Sequence, residues 1–297
     1  MENSDITDPL FRQAVEAIDR GDIITLEDLV TKNLRLIHDR LNYPEPGYFK
    51  DPYLLWFVAD NPIRTGKLAV NIVDITRLLI GFAKNEAADT AQMQLDYTLG
   101  LVATGRIPKE CGVQIEMIDV LIDAGAKPGG GLGALAHGNM EAAAHLIDRG
   151  GKLTLAVAIG LDRMPDVINM TATAGKEELL LALAVAGFYG KPNMVAYLLS
   201  LGADPNGYPQ NNAGFHTHAT PLHQAVYSGS LDAVKLLVEA GARLDLKDKV
   251  YEGTPLGWAE YMEKEESPDE QAGKNFRAIA EYLRSVSPTE LSPEGRT

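Results

Sequence analysis

The chain has a single cysteine, Cys111, among 297 residues. No internal disulfide can form, and a reducing compartment, the cytoplasm, fits that usage. Long apolar runs are missing as well. No stretch of about 18 apolar residues exists, so a membrane span is not expected. Met1-Glu2-Asn3-Ser4-Asp5 at the N-terminus is acidic and lacks the basic and apolar regions of a secretory signal. Basic charge is scarce: 27 Lys and Arg face 41 Asp and Glu, a net charge of −14. Binding to a phosphate backbone draws on clustered Lys and Arg that release counterions, so no nucleic acid is expected as a partner. An anionic membrane surface is disfavoured for the same reason. A basic protein partner is compatible with the charge, and so is acidity that only maintains solubility.

What the chain does contain is an internal repeat. Thr220-Pro221-Leu222-His223-Gln224-Ala225 returns in altered form 34 residues later as Thr254-Pro255-Leu256-Gly257-Trp258-Ala259. Thr220 can cap a helix that starts here, and Pro221 suits the first helical position, where no backbone donor is needed. Leu222 and Ala225 fall on one helical face. Beyond Ala225 come Gly229, the run Leu231 to Val238, and Gly241-Ala242. The preceding stretch matches at a shift of 39 through Leu183, Ala186, Gly190, Val195, Leu198, Gly202 and Ala203. This pattern resembles the ankyrin repeat, a helix, a tight turn at glycine, a second helix and a closing glycine.

Upstream the pattern weakens. Ala134 to Gly138 with Met140 to Gly150 reads as one unit, and Ile115 to Ala126 as the second helix of another. Leu54 to Ala59 pairs with Ile72 to Ile80, looks like a variant of bacterial ankyrin proteins, and has a longer connection from Asn61 to Lys67. Pro9 to Ile37 is a degenerate first unit with Gly21-Asp22 at its turn. Leu155 to Thr173 is a shortened unit without a turn glycine. The resemblance implies an all-α ankyrin-repeat solenoid of about eight helix-turn-helix units, with short turn or hairpin loops. It is expected as one domain over residues 1–286: a capping unit at 8–50, divergent repeats at 51–178, and consensus-like repeats with a C-terminal cap at 179–286. Residues 287–297 are expected to be disordered, and the charged stretch Glu263 to Glu270 to be a solvated loop.

Candidate chemistry is thin. Gly129-Gly130-Gly131-Leu132-Gly133-Ala134 mimics a dinucleotide-binding loop, but it follows a helix ending at Gly125-Ala126 where the fingerprint needs a strand, so it reads as an inter-repeat turn. No paired zinc motif or serine-nucleophile elbow occurs. His216, His218 and His223 do not have zinc spacing. The resemblance makes His223 structural. No feature places a base beside Cys111, which reads as a small buried hydrophobe. No catalytic residue, metal or cofactor is expected.

The resemblance also implies where recognition would occur. In the family, the residues just before the turn glycine end the inner helix and face a concave groove. Phe188 and Tyr189 hold these positions before Gly190, Tyr227 before Gly229, and Tyr261 and Met262 in the last unit. Aromatics in register across three units would form one exposed stripe, and such rings are enriched in protein interfaces. The competing reading packs them over neighbouring units as core. Trp56 and Trp258 read as core. The enlarged loop from Gly207 to Ala219 would project Tyr208, Phe215 and His216 beside the stripe. The expected function is a non-catalytic protein–protein interaction scaffold using this groove and loop. The alternatives are an acidic immunity- or antitoxin-like regulator masking a basic protein, and an unrecognised enzyme.

Overall fold

The structure is a computed structural model that describes residues 5–210, 215–265 and 274–287. The tail from Pro288 onward, the charged stretch beyond Glu265 and residues 211–214 of the enlarged loop lie outside the described residues. Among the described residues the chain is helical and contains no strand. The helices fall into two compact units, Met1–Leu153 and Thr154–Thr297.

In the first unit, α1 (Pro9–Arg20), a 3₁₀ helix (Leu54–Ala59), α5 (Ala88–Thr104) and α8 (Leu132–Ala136) touch in succession. A second row is formed by α2 (Ile23–Lys32), α4 (Ile72–Glu86), α7 (Gln114–Asp123) and α9 (Met140–Asp148). Each first-row helix pairs with its second-row partner, while α3 (Arg35–His38) and α6 (Arg106–Glu110) are short connectors. The second unit repeats the plan. Its first row is α10 (Leu155–Gly160), α12 (Lys176–Phe188), α14 (Pro221–Tyr227) and α16 (Pro255–Glu265). Its second row is α11 (Met164–Thr171), α13 (Pro192–Ser200), α15 (Leu231–Glu239) and α17 (Phe276–Val286). Eight helix pairs therefore occur among the described residues, as the repeat spacing predicts. Each pair buries its apolar faces against its own partner and its neighbours in the stack, the logic of a repeat solenoid.

Local chemistry explains the helix boundaries. The Asp8 carboxylate accepts the N–H groups of Leu10 and Phe11, and Pro9 opens α1. First-row helices have neighbours on several sides, so α12 is buried continuously from Ala182 to Gly187, a stretch made mostly of alanine and glycine. The turn glycine missing between α10 and α11 is replaced by Asp162, at φ 57°. Aspartate tolerates that left-handed conformation better than most residues. Among the described glycines, Gly229 meets the closest contact. It sits at φ 72°, and a Cβ there would lie 2.4 Å from the Lys274 Cβ. Gly229→Ala is expected to lower the unfolding free energy by about 1–3 kcal/mol, read as a lower denaturation midpoint; an unchanged midpoint would refute the argument.

Two expectations for the first unit need revision. The segment Leu54–Ala59 is a 3₁₀ helix with all six residues buried, not an ordinary α-helix. Cys111 is exposed rather than buried, because it caps the short α6 where the chain turns at Gly112. The long connection from Asn61 to Lys67 is organised by Asp60. Its buried carboxylate accepts backbone N–H groups from Arg64, Thr65 and Gly66.

Candidate functional site

The first-row helices of the second unit position an aromatic cluster. Phe188 is the last residue of α12 and Tyr189 its C-cap, while Tyr227 ends α14. Phe188 and Tyr227 stack at 5.2 Å between centroids and 19° between planes. Residues in register on adjacent repeats thus meet face to face. The offset stack and the edge-on contacts around it suit the quadrupoles of the rings.

The enlarged loop turns back into this cluster. Phe215 meets Phe188 edge-on at 5.1 Å and is completely buried. It is a floor beneath the stripe and cannot offer surface to a partner. His216 lies 4.7 Å from Tyr227 and 5.6 Å from Trp258. Its side chain is held below the usual histidine range by burial and by the neighbouring His218. Tyr208 does not join the group. Its hydroxyl donates to the Lys247 carbonyl at 2.7 Å, and the Lys249 ammonium lies 4.1 Å from its ring centroid.

Between α14 and α16 the cluster opens into a cleft of about 540 Å³, lined by His216, Tyr227, Tyr251, Gly253, Gly257, Trp258, Tyr261 and Met262. Tyr261 and Tyr251 are exposed, Tyr227 and His216 are half-buried, and Met262 and Trp258 are each only 9 % exposed. Phe188 and Tyr189 are half-buried too, since neighbouring rings cover part of each face. Burial alone pushes the Tyr189 phenol up to about 12. Full exposure of the stripe therefore holds for Tyr261 and fails for Phe188, Tyr189 and Tyr227. The helix α16 also continues to Glu265, so Tyr261 and Met262 sit inside it and not at its end.

A buried carboxylate that the sequence reading missed holds the cleft wall. Asp248 is 2 % exposed and accepts N–H from Val250, Tyr251 and Gly253 at 2.9, 2.6 and 2.9 Å. The Trp258 indole N–H donates to the same carboxylate at 3.0 Å. Burial raises the pKa of this carboxyl, and the four hydrogen bonds outweigh that effect and bring it down to about 2. The signal available in the sequence was the short run from Asp248 to Gly253 directly before Thr254-Pro255, the spacing of an aspartate that folds a tight loop onto itself.

His223 locks this wall to α14. Its Nε2–H donates to the Gly253 carbonyl at 3.0 Å. That leaves Nδ1 as an acceptor, and it receives the Thr220 hydroxyl at 2.8 Å and the Thr220 N–H at 3.3 Å. Both ring nitrogens are engaged within the protein, as expected of a structural residue. Burial, partly offset by the Gly253 hydrogen bond, lowers the pKa of His223 to about 4. His223→Ala is expected to cost about 1–3 kcal/mol, because it orphans the half-buried Gly253 carbonyl and the buried Thr220 cap, and a thermal melt reads the loss directly. Among the described residues no three His, Cys, Asp or Glu are placed to hold a metal ion, and no helix is long and apolar enough to cross a membrane.

A family profile agrees with this architecture. Residues 132–248 match the family profile described as ankyrin repeats (3 copies), a span from α8 to the buried Asp248. No curated protein matches the chain. Among solved structures it is similar to the human ASB11 ankyrin repeat domain, at 16 % identity over 94 % of this chain and 97 % of that one, with a TM-score of 0.32.

Proposed function

We propose that this ankyrin repeat protein, with its family match across residues 132–248, is a non-catalytic scaffold that binds a partner protein at the aromatic cleft between α14 and α16. Ankyrin repeats are in general protein–protein interaction modules. The observation that carries the reading is the cleft itself, where Tyr227, Tyr251, Tyr261 and Trp258 line about 540 Å³. Tyrosine and tryptophan dominate binding hot spots because they offer large contact area with little rotamer entropy to lose. The wall is preorganised by the Asp248 and His223 hydrogen bonds, which lowers the ordering cost of association. Catalysis needs convergent polar groups, whereas this lining is mostly rings, glycine and Met262. Phe188 and Tyr189 extend the surface along α12. Phe215 supports it from below, and Tyr208 lies on a separate part of the loop.

The test is quantitative. A partner isolated from the native host is titrated against the wild-type chain and against the double variant Tyr227→Ala/Tyr261→Ala. We expect roughly 10- to 1000-fold weaker binding with a small change in melting temperature, since one ring is exposed and the other half-buried. Equal affinities would remove the cleft from the binding surface. The net charge of −14 favours a second, narrower reading, in which the partner is basic and the chain masks it as an immunity- or antitoxin-like regulator. Its mark would be an affinity that falls steeply between roughly 0.05 and 0.5 M salt; a flat salt response would leave the partner's charge unimportant.

A further inference from the structure

The first unit contains a separate pocket of about 370 Å³ beside the 3₁₀ helix. We propose that it binds the oxyanion of a small ligand, a carboxylate or a phosphate, through Arg40, Lys50 and the indole N–H of Trp56.

The buried donor is the first observation. Trp56 lines the pocket, yet it is 2 % exposed and its Nε1 has no hydrogen-bond partner in the protein. An indole N–H only donates, and leaving one buried and unpaired costs about 1–3 kcal/mol. An oxygen acceptor in the pocket would remove that cost. The other tryptophan, Trp258, has its acceptor in Asp248, so an unpaired indole is not general to this chain.

The second observation is charge. Arg40 and Lys50 line the same pocket, are exposed, and form no ion pair among the described residues. The Arg40 guanidinium is held 5.2 Å from the Tyr53 ring centroid and 5.4 Å from that of Trp56. Cation–π contact restrains its position without using its N–H donors, which remain for a planar oxyanion. Asp51 also lines the pocket, and its Oδ1 accepts the Tyr43 N–H at 3.0 Å. With it counted, the lining still carries one net positive charge.

The walls are already engaged elsewhere. Tyr97 stacks on Trp56 at 4.0 Å, and its hydroxyl donates to the Tyr48 carbonyl. The Tyr48 hydroxyl donates to Asn61 Oδ1 at 2.9 Å. The groups left with unused donors are the indole, the guanidinium and the ammonium, three donors of the kind an oxyanion recruits. The volume lies at the small end of ligand pockets, which suits a phosphate or a short organic acid.

The experiment uses the two indole resonances of the ¹⁵N-labelled full chain, with Trp56→Phe assigning them. Sodium phosphate and sodium succinate are added in separate titrations, with sodium chloride holding ionic strength constant. We expect the Trp56 indole signal to move saturably and the Trp258 signal to stay in place. In Arg40→Gln/Lys50→Gln the response should weaken at least about tenfold, and folding should be unaffected because both side chains are exposed. A response to phosphate alone assigns the site to phosphate, and one to succinate alone to carboxylates. No saturable movement of the Trp56 signal with either anion, equal movement of both indoles, or an unchanged response in the double variant would each overturn the proposal.

Discussion

Asp248→Ala is expected to destabilise the second unit by about 3 kcal/mol or more. Four donors lose their acceptor at once: the N–H groups of the exposed residues Val250 and Tyr251, that of the half-buried Gly253, and the buried indole of Trp258. Each unsatisfied buried donor costs about 1–3 kcal/mol, less whatever water can reach after relaxation. Asp248→Asn should fall between, since the amide keeps one acceptor oxygen and turns the other into a donor facing donors. The pH dependence provides a second readout. The folded pKa of Asp248, about 2, lies below its ordinary 3.8. Its contribution is therefore present above about pH 4 and is lost as pH falls through 2. His223 titrates earlier. Its folded pKa of about 4 lies below the ordinary 6.5, so the fold favours the neutral ring. That contribution is whole above pH 6.5 and disappears as pH falls through 4. Acid unfolding followed by tryptophan fluorescence should show both windows. His223→Gln should shrink the upper one, leaving the part that His216 contributes, and keep the lower. A stability that is flat from pH 7 to 4 in the wild type would contradict the His223 assignment.

Phe215→Ala should cost about 3–5 kcal/mol, the range for removing a buried aromatic ring. Phe215 is 0 % exposed and carries the Phe188 ring edge-on at 5.1 Å, with Tyr189 at 6.3 Å. Without it the stacked pair of Phe188 and Tyr227 loses its floor. Partner binding should then weaken together with stability, whereas Tyr261→Ala should weaken binding with little effect on the melting temperature. Measuring both quantities for both variants separates support from contact. If Phe215→Ala melts like the wild type, the loop does not anchor the cluster.

Much of the fold was legible before any coordinates. The capping threonine, the proline after it and the glycine between helices are local signals. They act within one turn of backbone, so Thr220, Pro221 and Gly229 could be placed from spacing alone, and so could most of the helix pairs. The recognisable pattern failed where buried polar groups broke the apolar period. Helix α5 went unread because Gln94 and Thr98 lie on its buried face. Gln94 donates to the Ile37 carbonyl at 3.2 Å, and the Thr98 hydroxyl to the Gln94 carbonyl at 2.7 Å. Asp162 replaced an expected glycine because aspartate can adopt the same positive φ.

The candidate site divided in the same way. Repeat register was enough to select Phe188, Tyr189, Tyr227 and Tyr261 as neighbours in the stack. It could not show which rings stay accessible, because accessibility depends on what a distant segment lays over each ring. Phe215 and Tyr208 belong to one loop, yet the first is sealed beneath Phe188 and the second is tied to Lys247. Asp248 has no apolar period to announce it, and its role exists only when the loop closes and four donors converge on one carboxylate. Helix boundaries follow from interactions a few residues apart, which the order of residues contains. Burial, the shifted pKa values of Asp248 and His223, and the unpaired indole of Trp56 follow from groups brought together across the chain, and folding alone creates those distances.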